Sequence, residues 1–299
     1  MRSILAGLLL LAASLSPAAA QGTIRVAYAG SMGVVMDHVI GPQFAKANDA
    51  TYQGIGQGAY GLARLIIGKK LQADVFITVT PGPVQLLEKA GLVAGQAQPV
   101  ASTAMVIAYS PKSRFASALA GGSMPWYQVL ESPGLRFGRT DPKTDPQGQN
   151  IVFTMLLAER YYNQPGLAQK ILGPFENQAQ IFTEPSILTR LEAGQIDASS
   201  GYESSVTSHH LPFVQLPDEI NLSNPAMIAD WYSKVHFTIT GPDGKPHVLS
   251  TQPLIFYAAV LKTATNPTLA QKFVDFLQSP AGQKDFQDNG YGKPMGGPS

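Results

Sequence analysis

Apolar positions along this chain fall into two kinds of run. Four are short and nearly continuous: Thr23-Ile24-Arg25-Val26-Ala27-Tyr28-Ala29, Ala73-Asp74-Val75-Phe76-Ile77-Thr78-Val79, Ala104-Met105-Val106-Ile107-Ala108-Tyr109, and Pro253-Leu254-Ile255-Phe256-Tyr257-Ala258-Ala259-Val260. Runs of this length and composition read as buried strands. Helical patterns lie around Phe44-Ala45-Lys46 and over Gly61 to Lys70, Val84 to Ala90, Ile151 to Tyr161, Ile187 to Ala193, Thr268 to Gln278 and Gln283 to Gln287. Gly91 and Gly194 stand where helices of this kind end. Strands alternating with helices predict an α/β fold with a mainly parallel sheet, whose ligands sit at strand C-terminal ends and helix N-termini.

The order of these runs predicts two lobes. A Ser/Pro/Gly-rich region follows Tyr109, and the late strand from Pro253 leads into the last two helices. The chain is therefore expected to cross into a second lobe near Ser110 and to return near Ser250, so that residues 21–109 plus 251–299 form one lobe and 110–250 the other. Two crossings make a hinge over a cleft. Two sequential domains would instead need an independent core in the roughly 50 residues after Ser250, which is marginal. There is no internal repeat and no low-complexity segment.

The first residues add a destination. Met1-Arg2-Ser3 leads into the apolar run Ile4 to Leu15 and the small-residue sequence Ala18-Ala19-Ala20, the pattern of a signal peptide over residues 1–20 cleaved after Ala20. The run is short of the roughly 20 residues of a spanning helix. No Cys follows it, so a lipid-anchored form is not expected, and the complete absence of Cys suits an exported fold that uses no disulfides. The formal net charge is +1 with no Lys/Arg block, which points away from nucleic acid or an anionic membrane surface as a partner.

Three places are furnished like helix N-termini that hold a ligand. Ala29-Gly30-Ser31-Met32-Gly33 ends a strand, and the Ser31 hydroxyl with free backbone N–H groups would form an anion cradle; serine caps are also common structural features. In Asp141-Pro142-Lys143-Thr144-Asp145-Pro146, Pro146 suits the first helical position and Asp145 the N-cap, either as a cap alone or as part of a rigid polar binding loop. Thr183-Glu184-Pro185-Ser186 again sets an acidic residue before a helix-starting Pro, and Tyr202 stands where the strand-like run after Ile196 ends.

In order and spacing these pieces resemble the extracellular tungstate/molybdate-binding proteins, the substrate-binding components of ABC importers with the type II periplasmic-binding fold. The resemblance covers essentially the whole chain after residue 20. It rests on Ala29-Gly30-Ser31, Ala73-Asp74-Val75, Asp141-Pro142 with Asp145-Pro146 before a helix ending in Tyr161-Tyr162, and Glu184 ten residues before Gly194. Ile196-Asp197, Tyr202-Glu203-Ser204, Leu216-Pro217-Asp218-Glu219-Ile220-Asn221-Leu222 and the run with Phe273, Phe276, Leu277, Ser279 and Pro280 complete it. The resemblance implies that Ser31 donates to a bound oxyanion through hydroxyl and amide. It implies that Asp145 and Glu184 bind the tungsten or molybdenum centre directly and make it six-coordinate, and that the Tyr202 hydroxyl points into the cleft. It further implies a periplasmic protein that is not an enzyme, needs no cofactor, acts as a monomer and hands its oxyanion to an ABC transporter permease. One turn departs: where relatives carry Ser, this chain has Gly56-Gln57-Gly58-Ala59-Tyr60, in which the Gly58 amide and the Tyr60 hydroxyl are the substitute donors.

Electrostatics sharpens this expectation. Two carboxylates beside a dianion repel it unless they bind its metal or are protonated, so sulfate and phosphate, which cannot expand their coordination, are disfavoured. The other readings are a binding protein for ferric iron or another oxyanion, and a secreted hydrolase. Tyr161-Tyr162 is similar to the paired tyrosines of ferric-binding proteins, but a helix end explains the pair more simply. His209-His210 has no second His pair, and adjacent side chains on a regular element point apart. No Gly-x-Ser-x-Gly elbow, zinc-protease motif or P-loop occurs.

Overall fold

The computed structural model describes residues 22–122, 124–241 and 243–299. The signal-peptide expectation and the cleavage point after Ala20 lie outside these residues. Eleven strands are described: β1 (Thr23–Ala29), β2 (Thr51–Gln57), β3 (Val75–Val79), β4 (Gln98–Ser102), β5 (Met105–Tyr109), β6 (Phe137–Gly138), β7 (Ala198–Tyr202), β8 (Phe213–Val214), β9 (His236–Thr240), β10 (Pro246–Ser250) and β11 (Ile255–Val260). They form a five-stranded sheet in the order β2-β1-β3-β11-β4, a four-stranded sheet β6-β7-β5-β8, and the hairpin β9-β10.

Burial explains which strands the pattern revealed. In β3, β5 and β11 every residue is buried, as central strands covered on both faces require. Strand β2 lies at the sheet edge and alternates between half-buried and exposed positions, which with Gly54 and Gly56 hides it from a search for apolar runs. Strand β4 is short and carries Pro99, which suits only the edge it occupies.

The sheets are mixed rather than mainly parallel. Strands β2, β1 and β3 run parallel, but β11 is antiparallel to both β3 and β4, and β5 is antiparallel to β7 and β8. A strand that re-enters a sheet from the other half of the molecule arrives from the opposite end, and β11 does this. The first passage also falls earlier than Ser110: β4 belongs to the first sheet and β5 to the second, so the chain passes between them at Thr103-Ala104. The apolar run 104–109 looked like a strand of the first sheet because burial marks a strand without marking its neighbours.

Three helices bring their N-termini to the space between the sheets: α1 (Ala59–Ile67) after β2, α2 (Pro146–Tyr161) after β6, and α3 (Glu184–Ala193) before β7. The sixteen-residue α2 is buried at nearly every position from Pro146 to Ala158, polar Gln147, Gln149 and Asn150 included. Helix α3 ends on Gly194 in the left-handed region, φ 74°.

Candidate functional site

The first sheet presents its strand ends to the second half of the molecule. After β1 the chain turns at Gly30-Ser31, and after β2 Gly58 stands at the N-cap of α1. From the other side come the N-termini of α2 and α3. Backbone contacts join the two sides: Gly61 N–H donates to Thr144 O at 3.1 Å, and Arg64 Nη1 donates to Lys143 O at 2.8 Å. Between them lies a cleft of about 560 Å³, lined among others by Gly58, Thr140, Asp141, Asp145, Phe182 and Glu184. Its described lining holds three carboxylates and no basic side chain.

The two acidic residues ahead of proline have different local roles. Asp145 is a true N-cap, its Oδ1 accepting from Gln147 N–H at 2.8 Å, and Oδ2 lies toward Gly58. Glu184 is not a cap: Thr183 holds that position and Glu184 is the first helical residue. Its carboxylate reaches across the cleft to the Gly30-Ser31 turn.

Glycines at the facing positions permit this approach. A Cβ on Gly30 would stand 2.8 Å from Glu184 Oε2, and one on Gly58 would stand 2.8 Å from Thr144 O and 3.2 Å from Asp145 Cβ. Each carboxylate of one side is thus seated against a glycine of the other.

Both carboxylic acids are 6% exposed or less, and burial is the main cause that holds their pKa values above the ordinary range. The Gln147 amide partly offsets this for Asp145, and the backbone amides of the Gly30-Ser31 turn do so for Glu184. The Asp145 charge raises Glu184 further. Ser31 Oγ, Thr140 Oγ1 and Glu184 Oε1 are buried without a completed hydrogen bond. Buried polar atoms are almost always paired, so three orphans around one cleft mark a place built for a polar ligand.

Tyr202 ends β7 and is fully buried, with its phenol near both carboxylates; burial, then Asp145 and Glu184, push its pKa up, so it keeps its proton. Asn150 Nδ2 donates to Tyr202 Oη at 3.0 Å, and Ser200 Oγ donates to Gln147 Oε1 at 3.0 Å. Tyr60 turns its hydroxyl toward Gly82, and it is not among the residues that line the cleft. The structure therefore brings Ser31 and Tyr202 up to the carboxyl pair, while of the expected residues Gly58, Asp145 and Glu184 line the cleft and Ser31, Tyr60 and Tyr202 are not among its lining residues. Sequence reasoning missed Thr140, Gln147 and Asn150. For Gln147 and Asn150 the available signal was polar residues at the start of a helix whose later turns are apolar.

Other residues that carry the resemblance have structural duties. Asp74 accepts from Arg25 N–H and Thr265 N–H, and Asp197 binds the Arg136 guanidinium at 2.8 Å. Tyr161 and Tyr162 pack edge to face at 4.8 Å in an aromatic cluster with Trp126, Tyr127 and Trp231. His209, of the adjacent histidine pair, contacts Glu192 at 2.9 Å. Among the described residues no group of three or more His, Cys, Asp or Glu could hold a metal ion.

Two sheets joined by a double crossing, with helix N-termini from both sides facing one polar cleft, define a two-lobed solute-binding architecture. The chain belongs to the bacterial extracellular solute-binding protein family, whose model matches residues 24–292. It is 32% identical over 208 residues to the molybdate/tungstate-binding protein WtpA of Pyrococcus abyssi, covering 63% of this chain and 59% of that protein. It is 31% identical over 280 residues to an uncharacterized solute-binding protein of Methanococcus aeolicus, covering 84% of this chain and 77% of that one. The fold is similar to that of the Azotobacter vinelandii periplasmic molybdate-binding protein, with a TM-score of 0.65 and 16% identity over 91% of this chain and all of that one. Among the described residues no helix is long and apolar enough to cross a membrane.

Proposed function

We propose that this protein is the periplasmic substrate-binding component of an ABC importer and captures tungstate or molybdate in the cleft. The observation that carries the reading is the pair of buried carboxylates, Asp145 and Glu184, seated against Gly58 and the Gly30-Ser31 turn in a cleft whose described lining has no basic residue. Where these carboxyl groups are ionised, a dianion such as sulfate would meet charge repulsion with no cation in the described lining to relieve it. A metal-centred oxyanion offers the carboxylates a positive centre to bind, while Ser31, the Gly58 amide, Thr140 and the Tyr202 phenol donate to its oxygens. The Pyrococcus abyssi relative is a molybdate/tungstate-binding protein, which supports the same ligand class.

In this reading the first lobe consists of residues 22–102 with 255–299, and the second runs from 105 to 250. The mature monomer begins at Gln21 and delivers its ligand to a permease. Mass spectrometry of the exported protein checks the first point, and a mature species retaining residues 1–20 would refute it. The ligand is tested by thermal shift and calorimetric titration with tungstate, molybdate, sulfate, phosphate and ferric iron. Stabilisation by the first two alone is expected, about 2.7 kcal/mol at a hundredfold excess over Kd. Equal stabilisation by sulfate, or none by tungstate and molybdate, would overturn the reading.

A further inference from the structure

Asn150 lies one turn into α2, is 3% exposed, and sends its side chain to the oxygen of Tyr202. Packing alone does not favour a buried amide, since it must be desolvated and then satisfied. Its neighbourhood is polar in a consistent way. Gln147, one turn earlier, accepts from Ser200 through its side chain and donates its amide to Asp145. The first two turns of α2 therefore form a hydrogen-bonding layer beneath the cleft, in contact with two alternate residues of β7, Ser200 and Tyr202.

The consequence for Tyr202 comes from the geometry of a phenol. Its O–H lies near the ring plane and takes one of two opposite directions, leaving an acceptor position on the other side. Asn150 Nδ2, an N–H donor, occupies the acceptor side. The O–H must then point the other way, and the groups beside the phenol are the carboxyl groups of Asp145 and Glu184, with the Tyr60 hydroxyl a lesser neighbour. Among the described residues Asn150 is the one hydrogen-bond partner of this oxygen.

We infer that Asn150 is a positioning residue, which by donating to Tyr202 Oη fixes the phenolic proton toward the cleft and so makes Tyr202 an obligate donor to an oxygen of the bound oxyanion. A tyrosine free to choose would lose part of its binding contribution to rotation of that proton. With the proton fixed before the ligand arrives, the site is preorganised for an acceptor. The inference rests on the oxyanion reading for its ligand, but the state of the phenol in the ligand-free protein is independent of that reading.

The test uses the mature chain with Asn150→Asp, Asn150→Leu and Tyr202→Phe, plus the double variant Asn150→Asp/Tyr202→Phe. Asp at 150 is isosteric but can only accept, so it draws the phenolic proton away from the cleft. Asn150→Asp is expected to weaken tungstate binding at least tenfold, Asn150→Leu by less, and the double variant should be little worse than Tyr202→Phe alone. Raman difference spectra against Tyr202→Phe report the hydrogen-bonding state of that phenol through its Fermi doublet, without ligand. They should show an accepting phenol in wild type and a phenol donating to residue 150 in Asn150→Asp. Should Asn150→Asp misfold, Asn150→Leu carries the comparison by the same two measurements. Wild-type affinity in both Asn150 variants, or a doublet unchanged by them, would overturn the inference. Failure of wild type to bind tungstate while the doublet shifts as stated would overturn the oxyanion reading and leave the positioning role standing.

Discussion

Asp145 and Glu184 stand before the same kind of proline-led helix start, and the structure separates their roles. Asp145 caps with one oxygen and faces the cleft with the other, whereas Glu184 caps nothing and faces the Gly30-Ser31 turn. Asn keeps the cap at position 145, so Asp145→Asn and Glu184→Gln should each replace a buried ionisable group by a neutral isostere without loss of local structure. Both variants are expected to stabilise the ligand-free protein at neutral pH, by on the order of 1 kcal/mol, and to weaken tungstate binding more than tenfold. Denaturant titration and calorimetry check the two effects, and a loss of both stability and binding would argue for a purely structural role. The same groups set a pH dependence. Burial pushes Asp145 up to about 7 and Glu184 upward as well. Because these folded-state values lie above the unfolded ones, the associated stability is full below about pH 4. It is lost as pH rises toward and through 7. If the ionised carboxylates bind the metal centre, ligand binding releases protons below that point and affinity rises with pH. Titration in two buffers of different ionisation heat reads the proton count, and proton uptake would mean that the carboxyl groups donate to an ordinary oxyanion instead.

At the scale of elements, the cleft depends on how closely the strand-end turns of the first sheet approach the helix starts of the second. Gly58 has an ordinary helical-entry backbone, φ −55° and ψ 120°, so alanine there meets no conformational penalty. Its Cβ would instead stand 2.8 Å from Thr144 O in the described structure. Gly58→Ala should therefore weaken tungstate binding several-fold by pushing the two sides of the cleft apart, as calorimetric titration would read. Gly30→Ala should act in the same sense through Glu184 Oε2. Equal affinity in both variants would show that closure tolerates a wider gap. The second-turn glycines were legible in the sequence as a departure from the related pattern. Their steric partners were not, because no local rule connects residue 58 to residues 144 and 145.

For the whole molecule, the two passages between the sheets lie side by side. Thr103 N–H donates to Leu254 O at 3.1 Å, and Ser204 donates from backbone and hydroxyl to Thr103 Oγ1 at 3.2 and 3.0 Å. Tyr291, from the C-terminal segment, reaches Ser31 O at 3.4 Å behind the cleft. Paired short crossings of this kind allow two rigid halves to rotate while their cores stay packed. The radius of gyration from small-angle scattering is expected to fall when tungstate binds, and an unchanged radius with proven binding would count against hinge closure.

The sequence by itself determined the elements with strong local signals. The continuous apolar runs became β3, β5 and β11 because full burial leaves no polar alternation to confuse them, and Pro146, Pro185 and Gly194 marked helix ends through backbone constraints each residue carries alone. Asp145 and Glu184 were visible for the same reason, as acidic residues at proline-led helix starts. The tertiary structure decided which sheet β5 joined, the direction of β11, the edge strand β2 and the buried Gln147 and Asn150. It also decided that both carboxylates come from one side of the cleft and the glycines that seat them from the other. Each of these depends on contacts between residues far apart in the chain, and the energy of such a contact belongs to the pair and to its burial rather than to either residue's local pattern.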